Sequence, residues 1–251
     1  MRNTAKHLLL RAVARTFVLG LALLGVAGVA HAAPITVPAG LSYGDTYRLV
    51  FVTSITTDGT DTDIAYYNQF VTDVANAQTE LAALATSWTA IISSTTVDAR
   101  DNTGTVPFTD GAGIPIYLVD GATKVADSYA DLWYGTNDNP IDVYETGATW
   151  TSADTAAAIW TGSNADGTAF AGRSVGDPVI LFGRINLGET DFHWAAAGNN
   201  TTNTQRRLYA LSGEITVVPP PVRRPVAGGL ILRRWSPSDP SSSRSPCSCP
   251  R

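Results

Sequence analysis

Gly172-Arg173-Ser174-Val175-Gly176 spells the pattern G-x-S-x-G. That spacing can set a serine on a sharp turn and present its hydroxyl as a nucleophile. Catalysis would then need a carboxylate and a histidine further along. Asp177 or Asp191, followed by His193, supplies that order. The turn also needs a strand before it and a helix after it. Here a Gly/Ala-rich loop precedes Ser174, and Gly176-Asp177-Pro178 stops any helix. His193 stands between Phe192 and Trp194, which suits a packed or surface residue better than a general base. The expectation is a chain that is not an enzyme. A serine hydrolase using Ser174 and His193 is the alternative.

Asp58, Asp61 and Asp63 lie close together, and carboxylates at alternating positions can bind Ca²⁺. The glycine and the closing glutamate of a Ca²⁺ loop are absent, so these residues read as turn and N-cap carboxylates favoured by a helix dipole. Tryptophans can stack on sugars, but on strands and helices they are core, where each buries ~150–250 Å². Trp133 and Trp160 are therefore assigned to the core. Trp150 and Trp194, in loop surroundings, are the candidates for glycan contact. Cys247 and Cys249 do not make a metal site, because zinc needs two further ligands and His193 is the one histidine after residue 32.

The elements that must position these residues occupy the middle of the chain. Arg2, Lys6, Arg11 and Arg15 form a basic front, residues 16–29 are apolar or small, and Ala30-His31-Ala32 is a cleavage signature. Residues 1–32 thus read as a signal peptide, cleaved between Ala32 and Ala33. The apolar run is shorter than the ~20 residues a spanning helix needs, so contact with the membrane is expected only transiently, during export. Residues 218–251 are rich in Pro, Ser and Arg and read as a disordered tail.

Of the 17 Lys+Arg, four precede residue 33 and six follow residue 217, leaving seven between; of the 22 Asp+Glu, only Asp239 lies outside, leaving 21. The body from 33 to 217 therefore carries seven bases against 21 acids, a net charge of −14. Each neutralised phosphate requires a Lys or Arg, so nucleic acid is excluded as a partner. The body has no cysteine and is long enough to fold without disulfides.

Within that body, Thr46 to Ser54 is β-branched and aromatic and predicts a buried strand. Ile64, Tyr67, Phe70, Val71, Val74 and Ala75 recur at helical spacing, with Asp61 or Thr62 as the cap. Residues 80–85 suggest a second short helix and residues 88–92 a strand. Ile116 to Val119, then Asp120-Gly121, then Val125-Ala126 predicts a hairpin, expected at the centre of the domain. Ser128 caps a helical turn through Leu132 and Trp133. Residues 179–182, 208–211 and 215–218 read as strands, and residues 199–205 as a polar loop. The pattern is α+β.

Phe51-Val52-Thr53-Ser54, Trp88-Thr89-Ala90, the run from Ile116 to Gly121, Ala130-Asp131-Leu132-Trp133, Trp160-Thr161-Gly162 with Asp166-Gly167-Thr168, and the run from Leu208 to Gly213 occur in a specific order. Over residues 46–217 that order resembles a bacterial exported domain of unknown function with a C-type-lectin and endostatin-like fold. Similar domains occur in proteins carrying a PEP-CTERM sorting signal. The resemblance implies a C-type-lectin-like domain over residues 33–217. It would have one or two N-terminal helices and short, mostly antiparallel strands with long loops.

It also implies that residues 164–168 lie where such folds carry their long loop, with Asn164 and Asp166 as oxygen ligands should Ca²⁺ bind. The lectin motifs Glu-Pro-Asn and Trp-Asn-Asp are absent, so a tight turn is the preferred reading and no cofactor is expected. Without the family's disulfides, packing alone is expected to order the loops. The sorting signal is degenerate: Val218-Pro219-Pro220-Pro221 replaces Val-Pro-Glu-Pro, and the apolar run 226–232 is too short to span a membrane. A frame-shifted signal would explain the tail and leave the protein released.

The expectation is an exported, non-enzymatic protein of the cell surface or extracellular matrix that binds polysaccharide or protein. A structural matrix component without a discrete ligand is the alternative. The site is to be sought in the loops from residue 137 to 203.

Overall fold

Thr46–Val52 (β1) is a strand buried along both faces, as its β-branched and aromatic residues dictate. The computed structural model describes residues 35–109, 113–151, 158–185 and 191–219. The signal peptide, its cleavage point at Ala32 and Ala33, and the tail from residue 220 with Cys247 and Cys249 lie outside the described residues. The chain divides after Val218 into two units, the second being Pro219–Arg251.

β1 is the middle strand of the larger sheet. On one side it pairs antiparallel with β8 (Tyr209–Ser212), which pairs antiparallel with β2 (Trp88–Ala90). On the other side it pairs in parallel with β3 (Ile116–Leu118), followed by β4 (Lys124–Ala126) antiparallel at the edge. β9 (Ile215–Thr216) joins the start of β1. A second, three-stranded antiparallel sheet runs β5 (Ala158–Trp160), β6 (Val179–Arg184), β7 (Gly198–Thr201). With one 13-residue helix, three single-turn helices and one 3₁₀ turn among the described residues, the architecture is mixed α+β with mostly antiparallel strands.

Helix α1 (Ile64–Asn76) buries Tyr67, Val71, Val74 and Ala75, one stripe at i, i+4, i+7 and i+8. Its N-cap is Asp63, whose Oδ1 accepts from Ala65 N at 2.9 Å, rather than Asp61 or Thr62. Asp61 instead accepts from Asp63 N at 2.8 Å and shapes the approach. Short helix α2 (Thr79–Ala82) follows, and α3 (Ala99–Asn102) lies beside β2.

Ala90, on the edge strand β2, has no strand beyond it. Its N–H donates to Asn68 Oδ1 (2.9 Å) and its carbonyl accepts from Asn102 Nδ2 (2.8 Å). The two carboxamides also bond each other, so a side-chain pair from α1 and α3 stands in for the missing strand.

Two elements differ from the sequence expectation. The hairpin β3–β4 forms around Asp120, and Ser128 caps α4 (Tyr129–Leu132) through Asp131 N at 3.1 Å. Yet β4 is at the sheet edge and β1, not the hairpin, holds the centre. Residues 198–201, Gly-Asn-Asn-Thr, form strand β7 instead of a polar loop. Pairing with the apolar strand β6 overrides their low strand propensity.

Asp120 holds its turn by accepting from Ala122 N, Thr123 N and Thr123 Oγ1. Burial opposes its ionisation, and these bonds outweigh that effect and keep its carboxyl below the usual value. Among the described residues no helix is long and apolar enough to cross a membrane.

Arg48 is 7% exposed on β1 and no carboxylate bonds it. Its guanidinium donates to the carbonyls of Thr103 (2.8 Å), Ser212 (3.2 Å) and Gly104 (3.3 Å) and lies 5.1 Å from the Tyr129 ring centre. It thereby joins β1 to the end of α3 and to β8. Arg48→Met should lower the unfolding free energy by about 3 kcal/mol in urea titration, because charge-assisted bonds to buried carbonyls are lost. A change below about 0.5 kcal/mol, typical of surface positions, would show that the contact is idle.

Candidate functional site

β1 ends at Val52, and the chain continues through Thr53 and Ser54 to the rim of a cleft of about 380 Å³. A tight hairpin forms the opposite wall. Val143 bridges Thr149, Tyr144 N donates to Ala148 O (2.8 Å), and Trp150 N donates to Asp142 O (2.6 Å). Gly147 takes φ +80° and its N–H donates to Tyr144 O, the left-handed residue that closes a three-residue hairpin loop. Tyr144 also bridges Val52 in parallel, which ties the hairpin to β1. Burial raises the carboxyl of Asp142 at the base of the hairpin.

Ser54 connects the two charged groups of this region. Glu145, 3% exposed at the hairpin tip, accepts from Ser54 N at 2.7 Å and from Ser54 Oγ. Arg207, just before β8, donates through Nη1 to the carbonyls of Thr53 (2.9 Å) and Ser54. Its guanidinium also lies 4.9 Å from the centre of the Tyr144 ring. The cleft that results is lined by Tyr144, Arg207 and the hydroxyls of Ser54, Thr146, Thr149 and Thr151. Hydroxyls act as both donor and acceptor, so this lining suits a polar, hydroxyl-bearing ligand. Sequence reasoning placed the site after residue 137 and missed Ser54 and Arg207. The one available signal was Arg206-Arg207, the only adjacent pair among the seven cations of the body.

The residues singled out for catalysis do not assemble. Ser174 is 1% exposed, and its hydroxyl donates to the carbonyls of Gly162 (2.9 Å) and Phe170 (3.0 Å). Its N–H is held by Asp177 Oδ2 at 2.9 Å. Turn residues precede it and strand β6 follows, the opposite of a strand–turn–helix elbow. His193, on the 3₁₀ turn Phe192–Trp194, bonds through Nδ1 to Asp191 (2.8 Å), which also caps that turn. No hydrogen bond joins Ser174 to His193.

The candidate glycan contacts are corrected in the same way. Trp150 is 5% exposed and Trp194 1%, so neither offers a ring face to a sugar. Trp194 packs 5.6 Å from Trp133 and 6.0 Å from Tyr209. Gly183 of β6 permits this approach, since a Cβ there would lie 1.8 Å from Trp194 O. Loop sequence near these tryptophans did not mean loop exposure, because both pack into the hydrophobic core. Trp133 and Trp160 are core as expected from their elements.

The Ca²⁺ candidates are engaged locally. Asp166 Oδ1 accepts from Thr168 N (3.0 Å) and Thr168 Oγ1 (2.5 Å), and Asn164 Nδ2 donates to Thr168 Oγ1 (3.0 Å). They form a tight turn closed by the Ser163–Ala169 bridge. Asp58 accepts from Thr60 Oγ1 and N, bonds that lower its carboxyl below the usual value. Among the described residues the carboxylates that do converge are Asp127, Asp131 and Asp138, within 4.8 Å of one another. Lys124 Nζ already pairs with Asp127, and Asp131 Oδ2 accepts from Asp127 N at 2.7 Å.

Comparison with protein-family models and with curated proteins finds no match to the chain.

Ser174→Ala should cost about 1 kcal/mol of unfolding free energy, the net value of one buried hydrogen bond. Unchanged stability together with loss of a hydrolytic activity would restore the nucleophile reading.

Proposed function

We propose that this chain is an exported, non-enzymatic binding protein with a C-type-lectin-like domain, and that it takes a polysaccharide in the cleft between Ser54, the 143–149 hairpin and Arg207. The observation that carries this reading is the lining: the hydroxyls of Thr146, Thr149 and Thr151, with Ser54 Oγ bonded to Glu145, around a pre-formed cleft of about 380 Å³. Sugar hydroxyls exchange hydrogen bonds with such groups as donors and acceptors alike. The volume suits one or two sugar units. The leader pattern and the order of motifs support a location at the cell surface or in the extracellular matrix.

Calorimetric titration of the full chain with a panel of neutral and acidic polysaccharides tests it. At least one should bind, and Thr149→Val should weaken it about tenfold, the cost of one lost hydrogen bond in a ligand site. Binding by no polysaccharide, with unchanged incorporation into matrix, would favour a structural component without a discrete ligand. Saturable binding of a protein partner with no polysaccharide bound would move the reading to protein recognition.

A further inference from the structure

We infer that the ligand carries a carboxylate and that Arg207 pairs with it, so that the substrate class is an acidic, uronate-bearing polysaccharide; this rests on the polysaccharide reading above. The body holds three acids for every base. Among the described residues Arg100 pairs with Asp98 and Lys124 with Asp127, whereas Arg48 is held by carbonyl oxygens instead. Among the described residues Arg207 forms no ion pair. Its Nη1 is held by the carbonyls of Thr53 and Ser54, its face lies against Tyr144, and its Nε–H is buried without a hydrogen-bond partner, as are those of Arg48, Arg100 and Arg206.

Glu145 makes no direct ion pair with it. That carboxylate is buried and both its oxygens are taken by Ser54. The other residues lining the cleft are uncharged. Arg207 is therefore an oriented cation without a direct ion pair at the wall of a hydroxyl-lined cleft. With Nη1 held by two carbonyls and Nε–H buried, Nη2 is the donor left to make a charge-assisted bond to a carboxylate. The net charge of −14 repels a polyanion at long range, so recognition must come from this short-range pair.

The test uses three polyuronates, of glucuronate, galacturonate and guluronate, each beside its carboxyl-reduced neutral counterpart. Titration of the full chain at about 0.15 M salt screens the distant charges beyond ~8 Å and leaves the contact. At least one acidic polymer should bind about tenfold or more tightly than its neutral form, and Arg207→Gln should reduce that ratio to about twofold or less. Competition on the unmodified chain by free uronate against the matching neutral sugar gives the same answer without relying on the variant's folding. Equal affinity for both members of every pair overturns the carboxylate inference and leaves polysaccharide binding standing. Failure of all six polymers to bind overturns both. A ratio retained in a folded Arg207→Gln overturns the assignment to Arg207.

Discussion

Arg48 brings a guanidinium into the larger sheet, where three carbonyl oxygens accept from its two Nη groups in place of a carboxylate and its buried Nε–H is left without a partner. Burying a guanidinium is costly unless its donors are met, so the chain ends that supply those oxygens must be in place. They are the close of α3 at Thr103 and Gly104, and Ser212 at the end of β8. Past the other end of β1, Ser54 bonds a buried glutamate through its N–H and an arginine through its carbonyl. The central strand is thus clamped at both ends by charged side chains that bond to main chain. The second clamp is also the wall of the cleft, which joins the stability of β1 to the geometry of the candidate site.

Loops elsewhere are held by buried hydroxyls. Ser93 Oγ meets Ser163 Oγ at 2.8 Å and accepts from Ala99 N at the start of α3. Thr103 and Thr105 share a bond of 2.7 Å, and Trp133 Nε1 donates to Thr105 Oγ1. Thr161 Oγ1 donates to Ala195 O at 2.5 Å, and Ser174 adds its two carbonyls. Packing alone therefore does not order the loops. Each such bond contributes about 1 kcal/mol, and a set of them takes the place that cross-links would hold. A scaffold fixed in this way loses little conformational entropy when a ligand enters the cleft.

The α+β class was legible in the residues because local signals and tertiary packing agree there. The helical spacing from Ile64 to Ala75, the β-branched run of β1 and the Asp120 turn each encode their own element. Strand order was not legible, since the parallel pairing of β1 with β3 depends on partners far along the chain. The same holds for β7, whose Asn-rich sequence is a strand only beside β6. Trp150 and Trp194 looked loop-borne and accessible, and the tertiary packing of the core buries both. The cleft is least local of all: Glu145 is 91 residues from Ser54, and Arg207 is 153 residues from it. No periodicity or motif spans such separations.

Hydrogen exchange of the full chain, with and without a saturating acidic polysaccharide, tests the binding reading most directly, because it reports where the ligand sits. Slower exchange confined to residues 53–55, 144–151 and 205–208 is the expected result. Slowing centred on residues 164–168 or 127–138, or no slowing anywhere, would contradict a ligand in the cleft beside Arg207.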